Sequence, residues 1–170
     1  VPFLPAIGGS DGVKQIVCGP QDKDLEAGDI MFIDTGTTYD GYFCDFDRNW
    51  AVGDVSDAAN RANAAVWDAT EAGIAAARPG VTVEDVWRAQ SVVLEAAGSL
   101  GNNVGRMGHG LGMALTEPPS NMPGDNTMLE PGVVLTIEPG MEFADGRMIV
   151  HEENIVITED GCELLTKRAP

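Results

Sequence analysis

Hydrophobic and polar positions along this chain fall into a strand-like start, a helical middle and a strand-rich end. Ile30 to Ile33 form a short apolar run bounded by Gly28 and Gly36, which predicts a strand. An aromatic-rich stretch follows from Tyr39 and continues through Arg48 to Val52. Between them, Asp40-Gly41 is a turn dipeptide that tolerates positive φ, so the two runs predict an antiparallel hairpin. With the turn midpoint between Tyr39 and Asp40, Asp34 sits directly opposite Asp45, their Cβ atoms about 5 Å apart.

Helical spacing then takes over. Ser56 is an N-cap with Asp57 in the first turn, and Ala59, Ala62, Val66, Ala69 and Gly73 recur along one face until Pro79-Gly80. So many small residues on one stripe predict close packing against a sheet. Thr82 and Asp85 form a capping box with Asp in place of Glu. The second helix presents Val83, Val86, Trp87, Val93, Leu94 and Ala97 as its apolar face, with Gly98 at its end. The Trp residues read as core. From Gly101 the pattern changes to short strands and Gly-rich loops: Gly105 to Gly112, Val133 to Glu138, Gly140 to Phe143, and Asn154 to Thr158 turning at Glu159-Asp160-Gly161 into Cys162 to Leu165. Residues 1–28 show little periodicity beyond a short strand around Lys14 to Val17. Hairpin, two helices, then strands describes an α+β domain, not alternating βαβ units.

Composition narrows the partners. The 170 residues carry a formal charge of −17, which argues against nucleic acid or an anionic membrane surface. No stretch has the length of a transmembrane helix and no signal peptide is visible. Three widely spaced cysteines, Cys18, Cys44 and Cys162, fit a reducing, cytoplasmic setting better than a disulfide framework. The chain starts at Val1-Pro2 without Met, as a processed protein or a fragment would.

Candidate chemistry gathers at strand ends and in Gly loops. Asp34 and Asp45 repel across a ladder unless one is protonated or a cation lies between them. His109 sits in Gly108-His109-Gly110-Leu111-Gly112, where glycines on both sides allow close backbone approach. Glu138 ends the apolar run Val133 to Ile137, and Pro139 stops the ladder there. In His151-Glu152-Glu153-Asn154, strand alternation puts Glu152 and Asn154 on one face and His151 and Glu153 on the other. Only one of the two glutamates can face a shared site, and periodicity does not choose which. Four carboxylates and one imidazole exceed the needs of a lone cation. They suit two divalent ions, with oxygen-rich ligation favouring Mn²⁺ or Fe²⁺ and admitting Co²⁺ or Zn²⁺.

The order Asp, Asp, His, Glu, Glu resembles the pita-bread metallopeptidase superfamily of methionine aminopeptidase, aminopeptidase P, prolidase and the non-peptidase creatinase. The matching segments are GDIMFIDTG, GYFCDFDR, GHGLG, TIEPG and HEENIVITEDG, which span Gly28 to Gly161. The resemblance is nearest to the Xaa-Pro aminopeptidase and prolidase branch. It implies a curved antiparallel sheet backed by two helices. It implies that Asp34 binds one metal, that Asp45 and the last Glu bridge both, and that His109 and Glu138 complete the second. Counting back from Ile155-Val156-Ile157-Thr158, the last Glu is Glu152. It also implies a metal-bridging hydroxide that attacks an amide carbonyl, with Glu138 or a neighbouring carboxylate moving the proton and His109 and Glu138 as the catalytic pair. Enzymes of this type are often dimers, which makes a homodimer an expectation by analogy.

Two features of the resemblance are missing. Peptidases of this fold usually carry a His three residues ahead of a Pro before the first strand. Counted from Pro20, that position is Val17. They usually carry another His seven residues after the metal-binding one, and that position is Thr116. Such histidines help hold the peptide and stabilise the tetrahedral intermediate. The full pita-bread domain is also longer, so the chain is expected to be the C-terminal part of a larger protein forming a single catalytic domain. Three readings compete: an Xaa-Pro peptidase acting on small peptides; a creatinase-like or dimethylsulfoniopropionate lyase-like enzyme acting on a small zwitterion; and a non-catalytic binding module. Retention of all five ligand-type residues disfavours the last.

Overall fold

A computed structural model describes residues 6–7, 24–101 and 105–168. The strand expected around Lys14 to Val17 lies outside the described residues, as do Val17 and Cys18. The chain order is β1 (Ala6–Ile7), β2 (Ile30–Tyr39), β3 (Tyr42–Ala51), α1 (Asp57–Ala76), α2 (Val83–Ala96), β4 (His109–Gly110), β5 (Glu117–Ser120), β6 (Val134–Ile137), β7 (Gly140–Ala144), β8 (Arg147–Val150), β9 (Glu153–Ile157) and β10 (Cys162–Leu164). Every strand pair is antiparallel. The pairs make a sheet of order β1-β2-β3, a sheet of order β10-β9-β6-β4-β5, and the ribbon β7-β8.

The hairpin β2–β3 forms as its pattern predicts, but its register differs. The turn is the two-residue Asp40-Gly41 loop, with φ of 50° and 88°, and Tyr39 pairs with Tyr42. Two consecutive positive φ values match the right-handed twist of the flanking strands, which is why this loop wins over one centred a residue earlier. Asp34 is therefore opposite Asp47, and Asp45 is opposite Gly36. Directly paired residues share a face and residues two apart share a face, so Asp34, Asp45 and Asp47 all point the same way.

Both helices begin where their caps sit. The Ser56 hydroxyl accepts from the Ala59 N–H, and Thr82 and Asp85 make the reciprocal capping box. Gly98 takes positive φ just after α2. One core lies between α1, α2 and the β7–β8 ribbon, built on Val66, Ala69, Leu94, Met141 and Ile149 with Trp87 and Val93 packed against it. A second joins the helix ends to β6 and β9 through Ala77, Val83, Val86, Leu135, Ile137 and Ile155. Ala97, expected on the apolar face of α2, is exposed instead, because the helix has ended before it. Trp50 is also exposed. Four strands depart from the sequence pattern: β4 is only two residues long, while β1, β5 and β8 are not signalled by it. Among the described residues no helix is long and apolar enough to cross a membrane. Cys44 and Cys162 are free thiols.

Gly73 shows why α1 carries small residues. A Cβ there would lie 2.8 Å from Ile137 Cγ2 and 2.9 Å from Gln90 Cγ, where helix, helix and sheet meet. Overpacking of this kind costs about 1–3 kcal/mol. Gly73→Val is accordingly expected to lower the unfolding free energy by that amount, read as a lower urea midpoint with the slope of the transition unchanged.

Candidate metal centre

The hairpin supplies three of the centre's carboxylates from one face. Asp45 is held from outside by an amide: the Asp45 N–H donates to Asn154 Oδ1 at 3.1 Å, and Asn154 Nδ2 donates back to the Asp45 carbonyl. This pair ties β3 to β9 and uses the face of Asn154 that the alternation assigns to Glu152.

His109 comes from the two-residue strand β4. The Gly108 backbone, at φ 130°, runs so close to β6 that a Cβ would fall 2.1 Å from the Thr136 carbonyl oxygen. At Gly110 a Cβ would fall 2.4 Å from the Pro118 carbonyl oxygen. The glycines therefore let His109 enter the sheet where a side chain on either neighbour would collide. The His109 N–H donates to Thr136 Oγ1 at 3.1 Å, and its Nδ1 lies 2.9 Å from the Gly110 carbonyl oxygen. A carbonyl only accepts, so Nδ1 carries the proton and Nε2 keeps its lone pair. Nε2 lies 3.8 Å from Asp45 Oδ2 and 4.0 Å from Glu138 Oε2.

Glu138 follows the last residue of β6, where its N–H donates to the Met107 carbonyl at 3.1 Å. Glu152 lies between β8 and β9 with 1% of its surface exposed. Asp45, His109 and Glu152 each offer a ligand atom within 4.8 Å of the others, and so do Asp34, Asp47 and Glu152. The five residues singled out in the sequence are thus brought together, with Glu152 common to both groups.

Glu153 points away. It is buried with its carboxylate 3.1 Å from Arg48 Nη2 and 3.7 Å from Arg168 Nη1, and it accepts from the Thr166 hydroxyl. His151 is on the same side, its Nδ1 3.0 Å from Thr70 Oγ1 and its ring against Trp67. Burial, then Arg168 and Arg48, push His151 down to about 3, so it is a neutral packing group. Arg48 also donates to the carbonyls of Asp47, Glu152 and Lys167. It braces the strands behind the centre and leaves the site carboxylates unpaired by it.

The electrostatics follow from crowding. Burial raises Asp34 despite a hydrogen bond with Asp45 that acts the other way. Burial, and then the charge of Asp34, push Asp45 up to about 7. Burial, with Asp45 next, pushes Glu138 up to about 8. Glu152 is raised well above the carboxylate range by burial and by Glu138. Burial lowers His109 and keeps it neutral. Arg106 opposes the rise at Asp45 and Glu138, so a cation already faces the cluster. One oxygen of Glu152 and both oxygens of Asp47 are buried without a hydrogen-bond partner. Orphaned carboxylate oxygens beside a neutral imidazole lone pair fit hard or borderline divalent ions.

Sequence reasoning missed two contributors, Asp47 and Arg106. Asp47 was legible as the residue two after Asp45 on one strand face. Arg106, three residues before His109 in a loop without periodic pattern, carried no such signal. Thr116 is exposed in the bend before β5.

Without metal, the raised carboxylates make stability depend on pH in a definite sense. In the unfolded chain Asp45 and Glu138 ionise near 3.8 and 4.5; in the folded chain they hold protons to about 7 and 8. The folded state binds more protons across that window, so stability is full below pH 4 and is lost as pH rises to about 8. Chelator-treated protein should show this decline in urea titrations, and a divalent ion should reverse it.

The sequence matches the family model described as metallopeptidase family M24 over residues 2–159. It is 39% identical over 146 residues to the probable dipeptidase PepE of Mycobacterium tuberculosis, covering 85% of this chain and 39% of that protein. It is 32% identical over 146 residues to the Xaa-Pro dipeptidase of Pyrococcus furiosus, covering 86% of this chain and 42% of that protein. The crystal structure of dipeptidase PepE from Mycobacterium ulcerans superposes with a TM-score of 0.92 at 33% identity, covering 99% of this chain and 46% of that one. The chain thus spans 39% to 42% of the length of these two curated relatives. The fold is the pita-bread fold, and the chain belongs to metallopeptidase family M24.

Proposed function

We propose that this chain carries the catalytic centre of a dinuclear metal-dependent peptidase that hydrolyses small peptides, Xaa-Pro dipeptides first among them. The observation that carries this reading is the convergence of Asp34, Asp45, His109, Glu138 and Glu152, with Glu152 shared by two ligand groups and buried oxygens left unpartnered. The likeness to a probable dipeptidase and to an Xaa-Pro dipeptidase supports the substrate class. In this reading Asp34 holds one ion, Asp45 and Glu152 are shared, and His109 Nε2 and Glu138 complete the other. Mn²⁺ or Fe²⁺ suits so oxygen-rich a set. When bound, the ions supply Lewis acidity toward a scissile carbonyl and lower the pKa of water.

The chain's own residues do the rest. In its ionised form Glu138, which keeps some exposure, can take the proton of an attacking water and pass it to the departing amine nitrogen. Burial keeps His109 neutral, and with Nδ1–H donated to the Gly110 carbonyl it presents Nε2 without a proton to lose. Thr116, where related peptidases usually carry His, offers a hydroxyl for one hydrogen bond to substrate.

Elemental analysis beside an activity panel tests this. The expected result is about two divalent ions per chain, lost in Asp45→Asn, with Xaa-Pro dipeptides cleaved faster than other dipeptides. Glu138→Gln should lower kcat about 10²–10⁴-fold with less effect on KM. Turnover of small zwitterions alone would replace the peptidase reading with a creatinase-like or lyase-like one. Failure to bind any divalent ion would end both.

A further inference from the structure

We propose that Asp47 is itself a metal ligand of this chain, holding the ion on the Asp34 side together with Asp34 and Glu152. The inference rests on the metal-dependent reading above and adds a sixth residue to its ligand set.

Three observations support it. The hairpin register sets Asp47 directly opposite Asp34 on the face that bears Asp45. Ligand atoms of Asp34, Asp47 and Glu152 lie within 4.8 Å of one another. The Asp47 side chain is fully buried at 0% exposure, and neither carboxylate oxygen has a hydrogen-bond partner.

The last point separates a ligand from a spectator. Arg48, the adjacent cation, donates to the Asp47 carbonyl and spends its remaining contacts on Glu152, Glu153 and Lys167. An ionised Asp47 is thus left in a dry region without a donor. A protonated Asp47 would still have to donate its O–H, and no acceptor is in bonding distance. A cation between Asp34, Asp47 and Glu152 satisfies all three at once.

The consequence is asymmetry between the two ion positions. One ligand group, Asp34, Asp47 and Glu152, is made of carboxylates alone; the other, Asp45, His109 and Glu152, contains an imidazole. The all-oxygen position takes the harder ion, such as Mn²⁺ or Mg²⁺, while the imidazole position also accepts Zn²⁺ or Co²⁺.

The test is a Mn²⁺ titration of the chelator-treated chain, followed by calorimetry and by the free-ion electron paramagnetic resonance signal, with wild type beside Asp47→Asn. The expected result is two sites in wild type and, in Asp47→Asn, one site weakened at least 10-fold with the other little changed. The metal-free variant should melt no lower than wild type, since a repelling charge is gone, while its gain in Tm on adding Mn²⁺ should shrink. Equal affinities in both proteins would overturn the role of Asp47 and leave the metal-dependent reading standing. Absence of binding in wild type would overturn both. If Asp47→Asn does not fold, the crystal structure of Mn²⁺-loaded wild type decides: an Asp47 oxygen about 2.0–2.2 Å from an ion supports the assignment, and one beyond 3 Å refutes it.

Discussion

Like charge held in a dry place is the constraint on which this structure depends. Asp34, Asp45, Asp47, Glu138 and Glu152 meet at the junction of two sheets, where burial alone pushes their carboxyls toward the neutral form. A fold that only had to be stable would place apolar residues there, since buried charge is weak evidence for stability and strong evidence for a task. The surrounding arrangement keeps these groups in place against their repulsion. The Asn154 amide grips the backbone of Asp45 from both sides, Arg48 draws the carbonyls of Asp47 and Glu152 together, and Arg106 tempers the field without neutralising it. Each device acts on backbone or at a distance. The carboxylate oxygens stay available.

Division of labour between Glu152 and Glu153 shows how a strand sorts two identical side chains. One turns into the centre, and the other turns out to Arg48, Arg168 and Thr166. Period-two alternation makes the sorting obligatory. A one-residue slip of β9 against β6 would exchange their roles and place the Arg-bound carboxylate among the candidate ligands. The pairing of Thr136 with Asn154 and of Ile137 with Glu153 fixes that register from the apolar core, where Ile137 and Ile155 are fully buried.

Much of this was legible from residues alone, for identifiable reasons. Caps at Ser56 and Thr82 and the small-residue stripe of α1 are local signals, and the helices sit where those signals put them. Ligand-type residues were legible because each breaks its own surroundings: a carboxylate ending an apolar run, a His between glycines. The hairpin partner of Asp34 was misread by two residues because turn geometry, a property of φ at Asp40 and Gly41, sets register and the aromatic pattern does not. The two-residue strand at His109 and the strand through Pro118 and Pro119 were not legible. They exist only because β6 and its neighbours supply partners distant in sequence.

The end of the described chain has a practical meaning. Thr166 hydrogen-bonds both the Asn154 N–H and the Glu153 carboxylate, Lys167 offers its carbonyl to Arg48, and Arg168 stacks on Trp67 at 3.9 Å. These three residues work as a latch over the back of the centre, although they belong to no helix or strand. A boundary drawn at Leu164 because the last strand stops would take one carbonyl partner from Arg48 and two side-chain partners from Glu153. The choice of where to cut this gene for expression is therefore also a choice about the shape of its candidate metal centre.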